Sequence, residues 1–119
     1  MRTIESHKVN PANDVLTIEV IDVPGHGGAN HEYRISGFDA QTAVHLSFQN
    51  GPIAEAGVNG LTHEALLAIL IDRLVGFQSG PFANGYNDAA LAHLQAAQRS
   101  LHSRTQERMA RSVEGTHQA

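Results

Sequence analysis

Between Thr62 and Phe77 the chain carries Leu66, Leu67, Ile69, Leu70, Ile71, Leu74, Val75 and Phe77, with no proline and one late glycine, Gly76. The spacing predicts one helix, opened by Thr62 as N-cap and by Glu64 in the first turn, where the helix dipole favours negative charge. A helix that packs through one stripe needs apolar residues on one face only. Here they point in nearly every direction, so the helix is expected to be covered on several sides. One small sheet and one partner helix do not cover it, and the expectation is self-association.

A second, longer helix is predicted from about Asn87 to Ser112, after an irregular linker that begins at Gly80-Pro81. At 1.5 Å per residue it spans roughly 35–40 Å. Leu91, Leu94, Ala97 and Leu101 recur at three- and four-residue steps, a seam for one partner helix. Ala89, Ala90, Ala92 and Ala96 permit close approach of helices. Gly115 marks the stop.

Upstream the period changes. Val15–Val23, His31–Ser36 and Ala43–Phe48 alternate apolar and polar residues, the signature of half-buried strands. Met1–Asn13 has no clear periodicity. Pro24–Asn30 is glycine-rich, and Asn50-Gly51-Pro52 breaks the sheet. The expected fold is α+β: a small antiparallel sheet followed by a C-terminal antiparallel αα-hairpin. Its parts are a lead-in over 1–13, a sheet region over 14–50, a helical hairpin region over 51–115 and a tail over 116–119.

Composition narrows the function classes. The 119 residues contain no Cys, which removes disulfides, thiolate metal sites and cysteine nucleophiles and fits a reducing compartment. No apolar run reaches the roughly 18 residues of a membrane span, and the polar start, Met1–Asn10, does not read as a secretory signal. Net charge is −4, which argues against wrapping a long nucleic acid. Yet Arg99, Arg104, Arg108 and Arg111 face Glu107 alone among the acids of that stretch. A focused arginine cluster on an acidic chain suits a small anionic ligand; the alternative is a solvated helix face, the usual place for a charged run.

Arg104, Arg108 and Arg111 lie at i, i+4 and i+7 on one side of the second helix. Guanidinium groups grip phosphate bidentately. Phe77 offers a ring on which a purine stacks, or is core; Asn87 offers a donor and an acceptor to a base or ribose, or is a cap. Gly25-His26-Gly27-Gly28 lacks the Lys-Ser/Thr ending of a P-loop and the helix that follows a dinucleotide fingerprint. His31 and Tyr33 face one side of a strand and either hold a polar ligand or pair across the sheet. None of the eight His has a convincing zinc spacing, and no nucleophile elbow is present. No catalytic, metal or cofactor site is therefore expected.

The stretch Asn50-Gly51-Pro52-Ile53-Ala54-Glu55-Ala56-Gly57-Val58-Asn59-Gly60 resembles a phage family. So do Glu64–Leu74, Gly76-Phe77-Gln78-Ser79-Gly80 and the ending Arg104–Thr116. The shared part is a helical hairpin found in two kinds of phage anti-defence sponge, one against Thoeris and one against the cyclic-oligonucleotide system CBASS. The strand-rich segment before it, with Gly27-Gly28-Ala29-Asn30-His31-Glu32-Tyr33, makes the chain similar to the first-described Thoeris anti-defence family over residues 15 to 116. The resemblance implies a non-enzymatic sponge in the cytoplasm of the infected host that holds glycocyclic ADP-ribose, made by the defence system's TIR protein. It implies Phe77, Asn87, Arg104 and Arg108 as the signal-binding positions. It also implies dimers that assemble into hexamers and, in some members, a separate site for cyclic trinucleotides. Gly57, Asn59, Gly60 and Thr62 are the candidates for that second site. Where the family pattern has Cys-Arg-Glu-Asn, this chain has Asn84-Gly85-Tyr86-Asn87, losing a basic residue and gaining a ring.

Two other classes remain open on sequence. One is an enzyme that degrades such signals with His31 or His93 as general base. The other is a regulatory phage protein whose basic helix touches nucleic acid, with salt-dependent binding.

Overall fold

The computed structural model describes residues 1–117; of the tail expected over 116–119, residues 118 and 119 lie outside the described residues. The chain divides into two compact units, Met1–Leu61 and the part from Thr62 onward.

The first unit is a four-stranded antiparallel meander of β1 (Arg2–Ile4), β2 (Thr17–Val20), β3 (Glu32–Ser36) and β4 (Ala43–Ser47), paired in that order. The register places Ile4 opposite Ile18, Ile18 opposite Ile35, and Ile35 opposite Val44. Side chains alternate across a strand, so these residues share one apolar face with Val20, Tyr33 and Leu46. Thr17, Glu19, Glu32, Arg34, His45 and Ser47 share the other. Three strands follow the sequence pattern. β1 does not: it lies inside the stretch read as an aperiodic lead-in. Three residues are too few for a period to register, and the strand exists because β2 offers it an open edge.

Val20 is 1% exposed and centres this unit. The connections are fastened locally. Gly37, at φ +103°, passes so close to the Val15 carbonyl that an added Cβ would lie 2.2 Å from its oxygen. Asp39 accepts from the backbone N–H of Gln41 at 2.8 Å and Thr42 at 2.6 Å, closing the β3–β4 turn. The glycine-rich loop forms a short 3₁₀ turn, His26–Gly28, with Gly27 and Gly28 at positive φ. After β4, Phe48 forms a parallel bridge with Leu61, and between them α1 (Ile53–Ala56) makes a single turn.

The second unit is the αα-hairpin, α2 (His63–Gln78) and α3 (Gly85–Ala110). Thr62 caps α2 by accepting from the Ala65 N–H at 3.1 Å. Asn84 caps α3 by accepting from the Asn87 N–H at 2.8 Å. Gln78 ties the two ends together: its carbonyl accepts from the Asn84 N–H at 3.1 Å and its amide donates to the Asn84 carbonyl at 3.0 Å. The least exposed residues of α3 are Asn87, Leu91, Leu94, Gln98, Leu101, Thr105 and Arg108, with Gln95 beside them. Apart from Gln95 they step by four and three, the seam of a helix pair. Gln98 therefore takes the place read for Ala97, which is exposed, because the alternation after Leu94 calls for a step of four.

Candidate functional site

On α2, Leu66, Leu67, Ile71 and Leu74 are partly covered, and Ile69, Leu70, Val75 and Phe77 are exposed. No residue of α2 is buried. Among the described residues of both units, Val20 and Val113 are the buried hydrophobic side chains. That is a thin core for a chain with this much apolar surface, and it leaves the apolar bulk of α2 with water in place of a partner.

Phe77 sits in the last turn of α2, 38% exposed. The Arg73 guanidinium lies over its ring, 5.0 Å from the centroid. The two residues are four apart on one helix face, so the pairing is local. That spacing is legible in the sequence, and the sequence reading passed over it. Asn87 stands in the first turn of α3, half-buried. It is not the cap; Asn84 is. Among the described residues its carboxamide makes no hydrogen bond, so its donor and acceptor are uncommitted. Phe77 and Asn87 thus belong to the same end of the hairpin.

The arginines belong to the other end. Arg104 follows Asn87 by seventeen residues in one continuous helix, about 25 Å along the axis at ~1.5 Å per residue. It is exposed and, among the described residues, has no hydrogen bond or ion pair. Arg108 differs sharply. It is 4% exposed and organises the turn that follows α3. Its Nη2 donates to the carbonyls of Val113 at 2.8 Å and Thr116 at 3.2 Å, and its Nε to Glu114 at 3.2 Å. Ser112 at φ +58° and Gly115 at +80° let the backbone curl back onto it. Arg111 is paired with Glu107. The structure therefore places Phe77 and Asn87 at one end of the hairpin and Arg104 and Arg108 toward the other, so it does not bring all four together within one chain.

The residues named for a second site have local work of their own. Asn59 accepts from the Asn50 N–H at 2.8 Å and donates to its carbonyl at 2.7 Å. Gln49 closes the same loop from below, donating to the Gly51 and Gly57 carbonyls and accepting from the Asn59 N–H. Gly57, at φ +70°, ends α1 and donates to the Ile53 carbonyl. Gly60 runs against the strand end: a Cβ there would lie 2.4 Å from the Phe48 carbonyl carbon. Thr62, in the second unit, is occupied as the α2 cap.

The strand residues read as ligand or pairing groups are structural in their contacts. His31 is 7% exposed, with its Nε2 3.2 Å from the His26 carbonyl oxygen and its backbone N–H on Asp22 at 2.9 Å. Tyr33 meets Phe48 edge to face, centroids 5.5 Å apart. Burial pushes the Asp22 carboxyl up, but the N–H groups of His31 and Glu32 and the Asn30 amide together hold it below the ordinary range. On the polar sheet face, one oxygen of Glu32 takes Ser47 Oγ at 2.6 Å and His45 Nε2 at 2.8 Å. Ser47 first, then His45, hold that carboxyl below the usual glutamate range. Among the described residues no three His, Cys, Asp or Glu gather as a metal set, and no helix is long and apolar enough to cross a membrane.

The hairpin that follows the four-stranded meander carries the sequence pattern of a known family. The sequence pattern of the Acb2/Tad1 hairpin domain matches residues 41–106. The chain is also 38% identical over 110 residues to Thoeris anti-defense 1 of Bacillus phage SBSphiJ7, covering 92% of this chain and 76% of that protein. This chain belongs to the Acb2/Tad1 hairpin family.

Proposed function

We propose that this chain is a phage anti-defence protein that binds a nucleotide immune signal, glycocyclic ADP-ribose, and sequesters it without degrading it. The observation that carries the reading is the set of uncommitted groups on the hairpin: the half-buried Asn87 carboxamide and the exposed Phe77 ring at one end, and the unpaired Arg104 at the other. Stacking, base or ribose bonding and phosphate clamping are the three chemistries an ADP-ribose ligand asks for.

A ligand of that size does not span about 25 Å. The pocket is therefore composite, with Phe77 and Asn87 of one copy facing Arg104 of another. The exposed apolar surface of α2 supplies the reason for two copies to meet. Dimers, and hexamers built from them, are the expected assemblies, acting in the cytoplasm of the infected host. Arg108 serves this site at one remove, by shaping the turn beside Arg104.

The test is calorimetric titration of the purified protein with glycocyclic ADP-ribose, followed by heat release and chromatography of the ligand, with sedimentation of the protein alone. Tight binding by an oligomer and recovery of intact ligand support the reading. A cleaved product moves the protein to the enzymes, and no binding removes this signal from it.

A further inference from the structure

We propose that Arg73 is a ligand-contacting residue, its guanidinium and the Phe77 ring forming the two walls of a slot for the adenine of the bound nucleotide. The inference rests on the capture reading above and adds a residue and a binding mode to it.

Arg73 already lies over the Phe77 ring at 5.0 Å. Among the described residues it has no carboxylate partner, whereas Arg34, Arg108 and Arg111 each have one. Neighbouring Asp72 points elsewhere, since adjacent residues on a helix do not face each other. Among the described residues its interaction is thus a cation–π contact over an aromatic face, exposed to solvent. A guanidinium is planar and weakly hydrated, and it stacks on a base as it stacks on a ring. An inserted ring needs two spacings of about 3.5 Å between the walls. The slot must open by about 2 Å, a rotamer change for an exposed side chain.

The surroundings suit a π ligand. Three of the six aromatic residues of the chain fall between 77 and 86. Phe77 is 38% exposed, Phe82 72% and Tyr86 90%. A base offers a π face to an exposed ring whatever its edge carries. The charge of Arg73 stands beside the same face and favours an anionic nucleotide over a free nucleoside.

The experiment titrates the full-length wild type, Phe77→Ala, Arg73→Ala and Arg73→Lys with glycocyclic ADP-ribose, each first checked for an unchanged melting curve. The expected result is that Arg73→Ala weakens binding about tenfold and that Arg73→Lys, which keeps charge but not the plane, recovers little of it. If Arg73→Ala binds as tightly as wild type while Phe77→Ala fails, the slot is overturned and capture stands. Full recovery by Arg73→Lys also overturns the slot, leaving a point charge. A wild type that does not bind overturns both.

Discussion

From inside the turn that closes α3, the Arg108 guanidinium donates to the Glu114 carboxylate at 3.2 Å while being almost wholly withdrawn from water. An arginine so placed has two obligations, to its carboxylate and to the carbonyls of Val113 and Thr116.

Removing it strands those acceptors. Arg108→Ala is expected to lower stability by about 2–4 kcal/mol, the range for breaking a buried charge-assisted cluster. Arg104→Ala, on an exposed and unpaired side chain, is expected to stay within about 0.5 kcal/mol and to lose signal binding instead. Denaturant melts paired with titration of both variants separate the two roles. A stable Arg108→Ala that has lost binding would return Arg108 to direct contact with the ligand.

The loop from Asn50 to Gly60 makes a second contrast. Its Asn59 carboxamide is saturated by the Asn50 backbone, and Gly60 leaves no room for a Cβ. Gly60→Ala forces the strand end and the loop apart and is expected to cost about 2 kcal/mol or more. Thr62→Ala removes the α2 cap at a cost of about 1 kcal/mol. If the loop also holds cyclic trinucleotides, Asn59→Ala weakens them without altering glycocyclic ADP-ribose binding, as measured by titration with each ligand separately.

Acid sensitivity has a named source on the polar sheet face. The folded-state pKa of Glu32 is depressed by the Ser47 hydroxyl and then by His45. Such a group contributes stability above its unfolded pKa and loses it as pH falls through the folded value. The loss therefore begins as pH drops below the ordinary glutamate range. Asp22 and Asp39 are lowered too and act in the same direction. Ser47→Ala is expected to return the Glu32 titration toward its ordinary range, observed as a higher carboxyl midpoint by NMR.

Much of this architecture was readable in advance, for physical reasons that vary by element. The first helix announces itself as a long apolar run without proline, opened by Thr62, and the second by the recurring Leu91, Leu94 and Leu101. β1 carries no such signal, since Arg2–Ile4 is a strand by virtue of its neighbour. The candidate site was legible as a choice of residue types; its geometry was not. Sequence spacing puts Arg104 and Arg108 on one helix side, but the burial of Arg108 depends on a backbone that turns back at Ser112 and Gly115, which helical spacing does not encode. Asn87 read as binding group or cap; the cap is three residues earlier. Arg73 is encoded too, four residues before Phe77, but a single basic residue amid the apolar positions of the first helix forms no charge cluster to mark it.

The length of α3 between Asn87 and Arg104 bears on dose. If each pocket takes its two halves from different copies, capacity does not rise in simple proportion to the number of chains synthesised. Sparse early product leaves half-pockets that retain little signal, and capacity then climbs steeply once copies meet. Such a protein acts as a threshold device, whose onset during infection is set by its own rate of accumulation as much as by its affinity.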